Sequence, residues 1–188
     1  MKSLQLYMVL LGCKPAGRNT EQHDVFFSIG NNINELVPSI VKFWPEAHGK
    51  IHLDAWRELT QVGEFDITIK VKDETTSGDE PGAQLFFINL GGYKPAEFEE
   101  FHYKMTVAAN NKGEAIQQAK KTAFYRHVGF AGANSHVDDK YGVDVDDLYE
   151  IEDILPSAVK ERFSIVLTKR TEERQDVIHL GYMKLDNL

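Results

Sequence analysis

The chain has 188 residues, 42% hydrophobic and 27% charged, values that suit one large globular domain or two small ones. A formal net charge of −8, with no Lys/Arg run longer than two residues, argues against a nucleic-acid partner, which normally needs a basic face. One cysteine, Cys13, precludes an intramolecular disulfide and suits the reducing cytoplasm. No apolar run approaches the roughly 18 residues of a membrane span.

The first predicted element is a strand at Leu6–Leu11, apolar at nearly every position and therefore buried on both faces. With Lys2 before it and Gly12-Cys13 after it, the segment superficially resembles a short export signal. However, Leu4–Gly12 recurs as Ala83–Gly91 in mid-chain, so it reads as a strand of the fold. A Pro/Gly loop, Lys14–Asn19, leads to a second strand at His23–Ile29. Gly30-Asn31-Asn32 then breaks the strand and offers an Asn N-cap. Ile33, Leu36, Val37, Ile40, Val41 and Trp44 follow at helical spacing, with Pro38 acceptable only in a first turn. Strands are expected at Lys50–Trp56 and Phe65–Val71, and the polar, aperiodic stretch 72–82 reads as a linker.

The same order then returns. Sliding residues 4–44 forward by 79 positions matches Gln5/Gln84, Leu6/Leu85, Leu11/Leu90, Gly12/Gly91, Glu21/Glu100, His23/His102, Asn31/Asn110, Asn32/Asn111, Glu35/Glu114 and Lys42/Lys121 without a gap. Unrelated segments of ordinary composition would share roughly two or three, so the chain reads as an internal duplication. The second copy predicts strands at Gln84–Leu90 and His102–Val107, a helix after Asn110-Asn111, a strand at Phe163–Lys169 and an extra strand at Val177–Leu185. The fold class expected is α+β: two tandem strand-strand-helix-strand-strand repeats related by internal pseudo-symmetry. The units are 1–72 and 83–188, joined by the linker 73–82, with an acidic insertion in unit two.

Two short polar motifs recur. Glu-x-His appears as Glu21/His23 and Glu100/His102, and His-x-Asp as His52/Asp54 and His136/Asp138. In a strand, residues i and i+2 share a face about 6.6 Å apart, so each motif sets an imidazole beside a carboxylate. Converging on neighbouring strands, such groups would suit a divalent transition metal, or a His base oriented by a carboxylate. The structural alternative is mutual hydrogen bonding that holds strand ends together. Lys14 and Lys94 follow the first strand of each copy and would contact an anion, although their spacing matches no phosphate-binding fingerprint. The acidic stretch Asp138–Asp153 lacks the order of a calcium loop and reads as a solvated face. His23 shares its strand face with Val25, Phe27 and Ile29, whereas His102 shares its face with Lys104 and Thr106. The two copies are therefore not expected to be equivalent.

Leu11-Gly12-x-Lys14-Pro15, Glu21-x-His23-Asp24-x-x-Phe27, the Asn31-Asn32 helix start and His52-x-Asp54-x-Trp56 together resemble a small bacterial family of uncharacterised domains. That family carries one or two copies of the domain per chain and has no assigned activity, so the resemblance implies duplication and no chemistry. The reading favoured on the residues is a non-enzymatic binding or assembly module with a small-molecule or protein ligand, compatible with a homo-oligomer. The alternative is a metal- or acid/base-dependent enzyme acting on a small anionic molecule through His23, His52, Asp54 and Lys14. Composition identifies no cofactor.

Overall fold

A computed structural model describes residues 3–72, 82–93, 96–121, 143–170, 172 and 175–188. Every strand pairing among them is antiparallel and the helices are short, so the fold is α+β. The chain divides into two compact units, residues 1–76 with 155–188, and residues 77–154. Among the described residues no helix is long and apolar enough to cross a membrane.

Unit one is built on a sheet in the order β10-β3-β1-β2. Strand β1 (Gln5–Cys13) is central, flanked by β2 (Gln22–Gly30) and β3 (His52–Leu59), with β10 (His179–Lys184) beyond β3. Alternate residues of β1 explain its position, for Tyr7, Val9, Leu11 and Cys13 face one core together with Phe26 and Leu53. Leu36 and Ile40 complete that core. They belong to a 3-10 turn (Ile33–Leu36) that runs into helix α1 (Val37–Phe43), and Phe43 meets Phe26 edge-on at 5.2 Å. Pro38 sits at the start of α1, where its missing N–H costs nothing.

The turn owes its position to a reciprocal cap. The backbone N–H groups of Asn34 and Glu35 donate to Asn32 Oδ1 at 3.1 and 3.3 Å, and Glu35 Oε2 accepts from the Asn31 N–H at 2.9 Å. Each bond satisfies a donor that a helix start leaves orphaned.

The remaining strands of unit one form a separate sheet, β4 (Gln61–Val62), β5 (Phe65–Val71) and β9 (Phe163–Lys169). This differs from the expected repeat in two respects. The expected fourth strand does not join the sheet of β1–β3, since β5 pairs along its whole length with β9, from Phe65↔Lys169 to Val71↔Phe163. Further, β9 and β10, expected in the second unit, pair with β5 and β3 of the first, so 155–188 belong with unit one. The physical reason is edge pairing, because β3 and β5 each present a free row of backbone donors and acceptors that those strands satisfy. Helix α4 (Ser157–Arg162) precedes β9.

Unit two is a sheet in the order β7-β6-β8, with β6 (Gln84–Tyr93) central between β7 (Glu100–Ala109) and β8 (Val143–Glu150). Helix α2 (Lys112–Ala119) packs Ala115 and Ala119 on a core of Phe86, Ile88, Leu90 and Val107. Its start has the same chemistry as the turn in unit one. The Glu114 N–H donates to Asn111 Oδ1 at 3.0 Å, and Glu114 Oε2 accepts from the Asn110 N–H at 3.0 Å. A short helix α3 (Ile151–Ile154) follows β8.

A candidate metal centre over the central strand

Gly12 lies opposite His23 on one side and His52 on the other. Directly paired residues project to the same face, so both imidazoles rise over Gly12, away from the core that holds Cys13. A glycine is needed there for reasons of space. A Cβ on Gly12 would fall 2.3 Å from His52 Nε2 and 2.6 Å from Asp54 Oδ2, so the side chains flanking β1 close over the one position without a side chain.

Asp54 reaches the cluster through an irregularity. Between β1 and β3 the register runs Leu10↔Ala55 and then Leu11↔Leu53, which leaves Asp54 as the extra residue of a β-bulge. Bulges bend the strand and re-aim a side chain, and this one keeps Leu53 and Trp56 on the core face while Asp54 stays beside His52.

Four groups converge. His23 Nε2 lies 3.2 Å from Asp54 Oδ2 and 3.8 Å from Glu21 Oε2, while His52 Nε2 lies 3.0 Å from Glu21 Oε1 and 3.4 Å from Asp54 Oδ1. No lysine or arginine among the described residues pairs with Glu21 or Asp54. Asp54 Oδ2 is buried and makes no hydrogen bond, although His23 Nε2 lies 3.2 Å from it. An unsatisfied buried acceptor costs about 1–3 kcal/mol, and more when charged. A tetrahedral cation holds its ligand atoms about 2.1 Å from itself, hence about 3.4 Å from one another; the imidazole–carboxylate distances here, 3.0–3.8 Å, bracket that value while engaging both oxygens of each carboxylate. The donor set, two imidazoles and two carboxylates, also fits a divalent transition metal.

The site is sided. His52 is 7% exposed, with the Tyr182 ring of β10 at 4.3 Å from its own, whereas the Glu21 and His23 side chains are each 43% exposed. Lys14 is exposed, and it takes no part in the ion pairs of the cluster. Cys13 is fully buried on the other face, and burial, helped by the Glu21 charge, pushes its thiol up, with Lys50 opposing; it is no nucleophile for this site.

In unit two, Gly91 lies opposite His102 and Asp144, with the corresponding irregularity between Asn89 and Leu90, where Asp146 is the extra residue. His102 Nε2 is 3.2 Å from Asp146 Oδ2 and 3.9 Å from Glu100 Oε2. The register position of His52-x-Asp54 in unit one corresponds here to Asp144-x-Asp146. His136, Asp138 and Lys94 lie outside the described residues. The sequence pattern alone places Asp146 in a solvated acidic face. A usable signal was present in the apolar spacing, since Leu53-x-x-Trp56 and Val145-x-x-Leu148 both break strand alternation by one residue.

Residues 18–69 match the family described as Domain of Unknown Function (DUF1543), a span that includes Glu21, His23, His52 and Asp54. The match agrees with the resemblance drawn from the motifs. No curated protein matches the chain. Among solved structures, the chain is similar to the crystal structure of a protein Il1583 from Idiomarina loihiensis. The identity is 23%, over 97% of this chain and 98% of that one, with a TM-score of 0.66. At that identity the likeness speaks for the fold alone.

Proposed function

We propose that unit one is a cytoplasmic binding module for a divalent transition-metal ion, held by Glu21, His23, His52 and Asp54. The observation that carries this reading is Asp54 Oδ2, buried and without a hydrogen-bond partner among converging imidazoles. A cation at the common centre would satisfy that oxygen and offset the repulsion between the two carboxylates. A purely structural cluster would instead be expected to align its hydrogen bonds. We further read the sheets β2-β1-β3 and β7-β6-β8 as two copies of one strand-strand-helix-strand unit. The shared glycine-histidine register, the shared bulge position and the shared Asn-Asn-x-x-Glu cap support this.

The test is metal content of natively purified protein, with melting curves in added zinc and in chelator. Expected are about one zinc bound by unit one and a raised melting temperature, since a ligand at 100 times its Kd stabilises by about 2.7 kcal/mol. His23→Ala and His52→Ala should abolish both effects. Wild-type protein that takes up no metal, with His52→Ala changing stability alone, would return the cluster to a structural role.

A second reading, a metal-dependent enzyme acting on a small anion, draws on the half-exposure of Glu21 and His23, which leaves one side of the centre open to solvent. In that case the metal would supply Lewis acidity and an exchangeable position. Cobalt-substituted protein separates the two readings. A visible spectrum that changes on adding inorganic phosphate favours the enzyme, and an unchanged one the closed module.

A further inference from the structure

Unit two carries a donor cluster of different composition. Glu100, His102 and Asp146 each offer a ligand atom, and these atoms lie within 4.8 Å of one another. We propose that they form a second cation site, for a harder divalent ion such as Mn2+ than the one unit one selects. Its donor set is one imidazole and two carboxylates, and the register position that holds His52 in unit one holds Asp144 here. Nitrogen donors favour zinc and its neighbours, whereas carboxylate and water suit manganese and magnesium.

Two features show that the cluster is constructed. Gly91 leaves the space that Asp146 occupies, as a Cβ there would meet Asp146 Oδ2 at 2.1 Å. In addition, the Tyr93 hydroxyl donates to Glu100 Oε1 at 2.8 Å, which fixes the carboxylate with its other oxygen, Oε2, turned to His102. Outer partners of this kind orient metal ligands, and their loss typically costs about 10–100-fold in affinity. The side chains are 30–41% exposed, so water can complete the six-ligand shell that a hard cation prefers.

The experiment uses the full chain, given one equivalent of Zn2+ and then titrated with Mn2+, with free Mn2+ read from its EPR signal. One Mn2+ should bind, and His102→Ala or Asp146→Asn should weaken it at least about tenfold. The metal-free melting temperature of these exposed-site variants should stay unchanged, which separates lost binding from lost folding. The double variant His23→Ala/His52→Ala should keep the Mn2+ while losing the zinc, so the two sites fail independently. The inference is overturned if wild-type protein binds no Mn2+ up to about 1 mM, the weak end for oxygen-ligand sites. It is equally overturned if His102→Ala and Asp146→Asn bind as wild type, or if the Mn2+ is lost from the double variant instead.

Discussion

Gly12→Ala tests the geometry of the cluster without touching any ligand. The new methyl carbon would sit 2.3 Å from His52 Nε2, 2.6 Å from Asp54 Oδ2 and 2.9 Å from His52 Cε1. Ordinary contacts are about 3.5 Å, so the nearly buried imidazole must retreat by about 1 Å. Overpacking of this kind costs about 1–3 kcal/mol, against about 0.5–1 kcal/mol gained when alanine replaces glycine in a strand. The net expectation is a loss of about 0–2.5 kcal/mol, with zinc affinity falling at least tenfold. In a His52→Ala/Asp54→Ala background all three contacts vanish, and the same substitution should stabilise by about 0.5–1 kcal/mol. Urea unfolding followed by tryptophan fluorescence reads this directly, because both tryptophans, Trp44 and Trp56, belong to unit one. The sign reversal is the test. Should Gly12→Ala cost as much in the double background as in wild type, the glycine is not there to make room for the cluster.

Other expectations follow from particular contacts. Asn32→Ala and Asn111→Ala each remove a cap, should cost about 1 kcal/mol in urea unfolding, and should leave metal binding unchanged. Cys13 should resist a thiol reagent in native buffer and react fully in denaturant; rapid labelling of native protein would contradict its burial. The Glu150 carboxyl is held above the usual carboxylate range by burial first and by the Asp153 and Glu152 charges next, against hydrogen bonding from Gln84 and the Lys112 charge. Its folded pKa exceeds its unfolded one, so the native state binds the extra proton and stability falls as pH rises through that window. Glu150→Gln should therefore stabilise unit two at neutral pH and lose the advantage below about pH 4, where both states are protonated. Circular-dichroism melts at the two pH values would show it, and an equal effect at both would refute it.

Much of the fold could be read from residue order. The apolar run at β1, the Asn-Asn-x-x-Glu cap and the glycine at the end of the central strand all recur at an offset of 79, and each has a direct physical use. Glu21, His23, His52 and Asp54 could be picked out because two short motifs flank one strand. What could not be read was non-local. Strand pairing depends on which edges remain open after the first sheet forms, so the return of β9 and β10 to unit one has no local signature. The bulge hid for a related reason. Placing Asp54 beside His52 takes an extra residue opposite Leu10-Leu11, and alternation alone assigns it to a regular strand. The same extra residue, with a longer connection before β8, brings Asp146 into the second cluster.

Residues 77–154 are contiguous, whereas the other unit is assembled from stretches on either side of them. During synthesis, therefore, the downstream unit can be completed first. The outer edge of β3 waits unpaired while about 120 further residues are made, about 6–24 seconds at about 5–20 residues per second. Throughout that interval His52 has no Tyr182 over it, and the row of free amides and carbonyls beside it is open to any passing strand. A chain released just after residue 154 would have its later-made unit whole and its earlier-made one not.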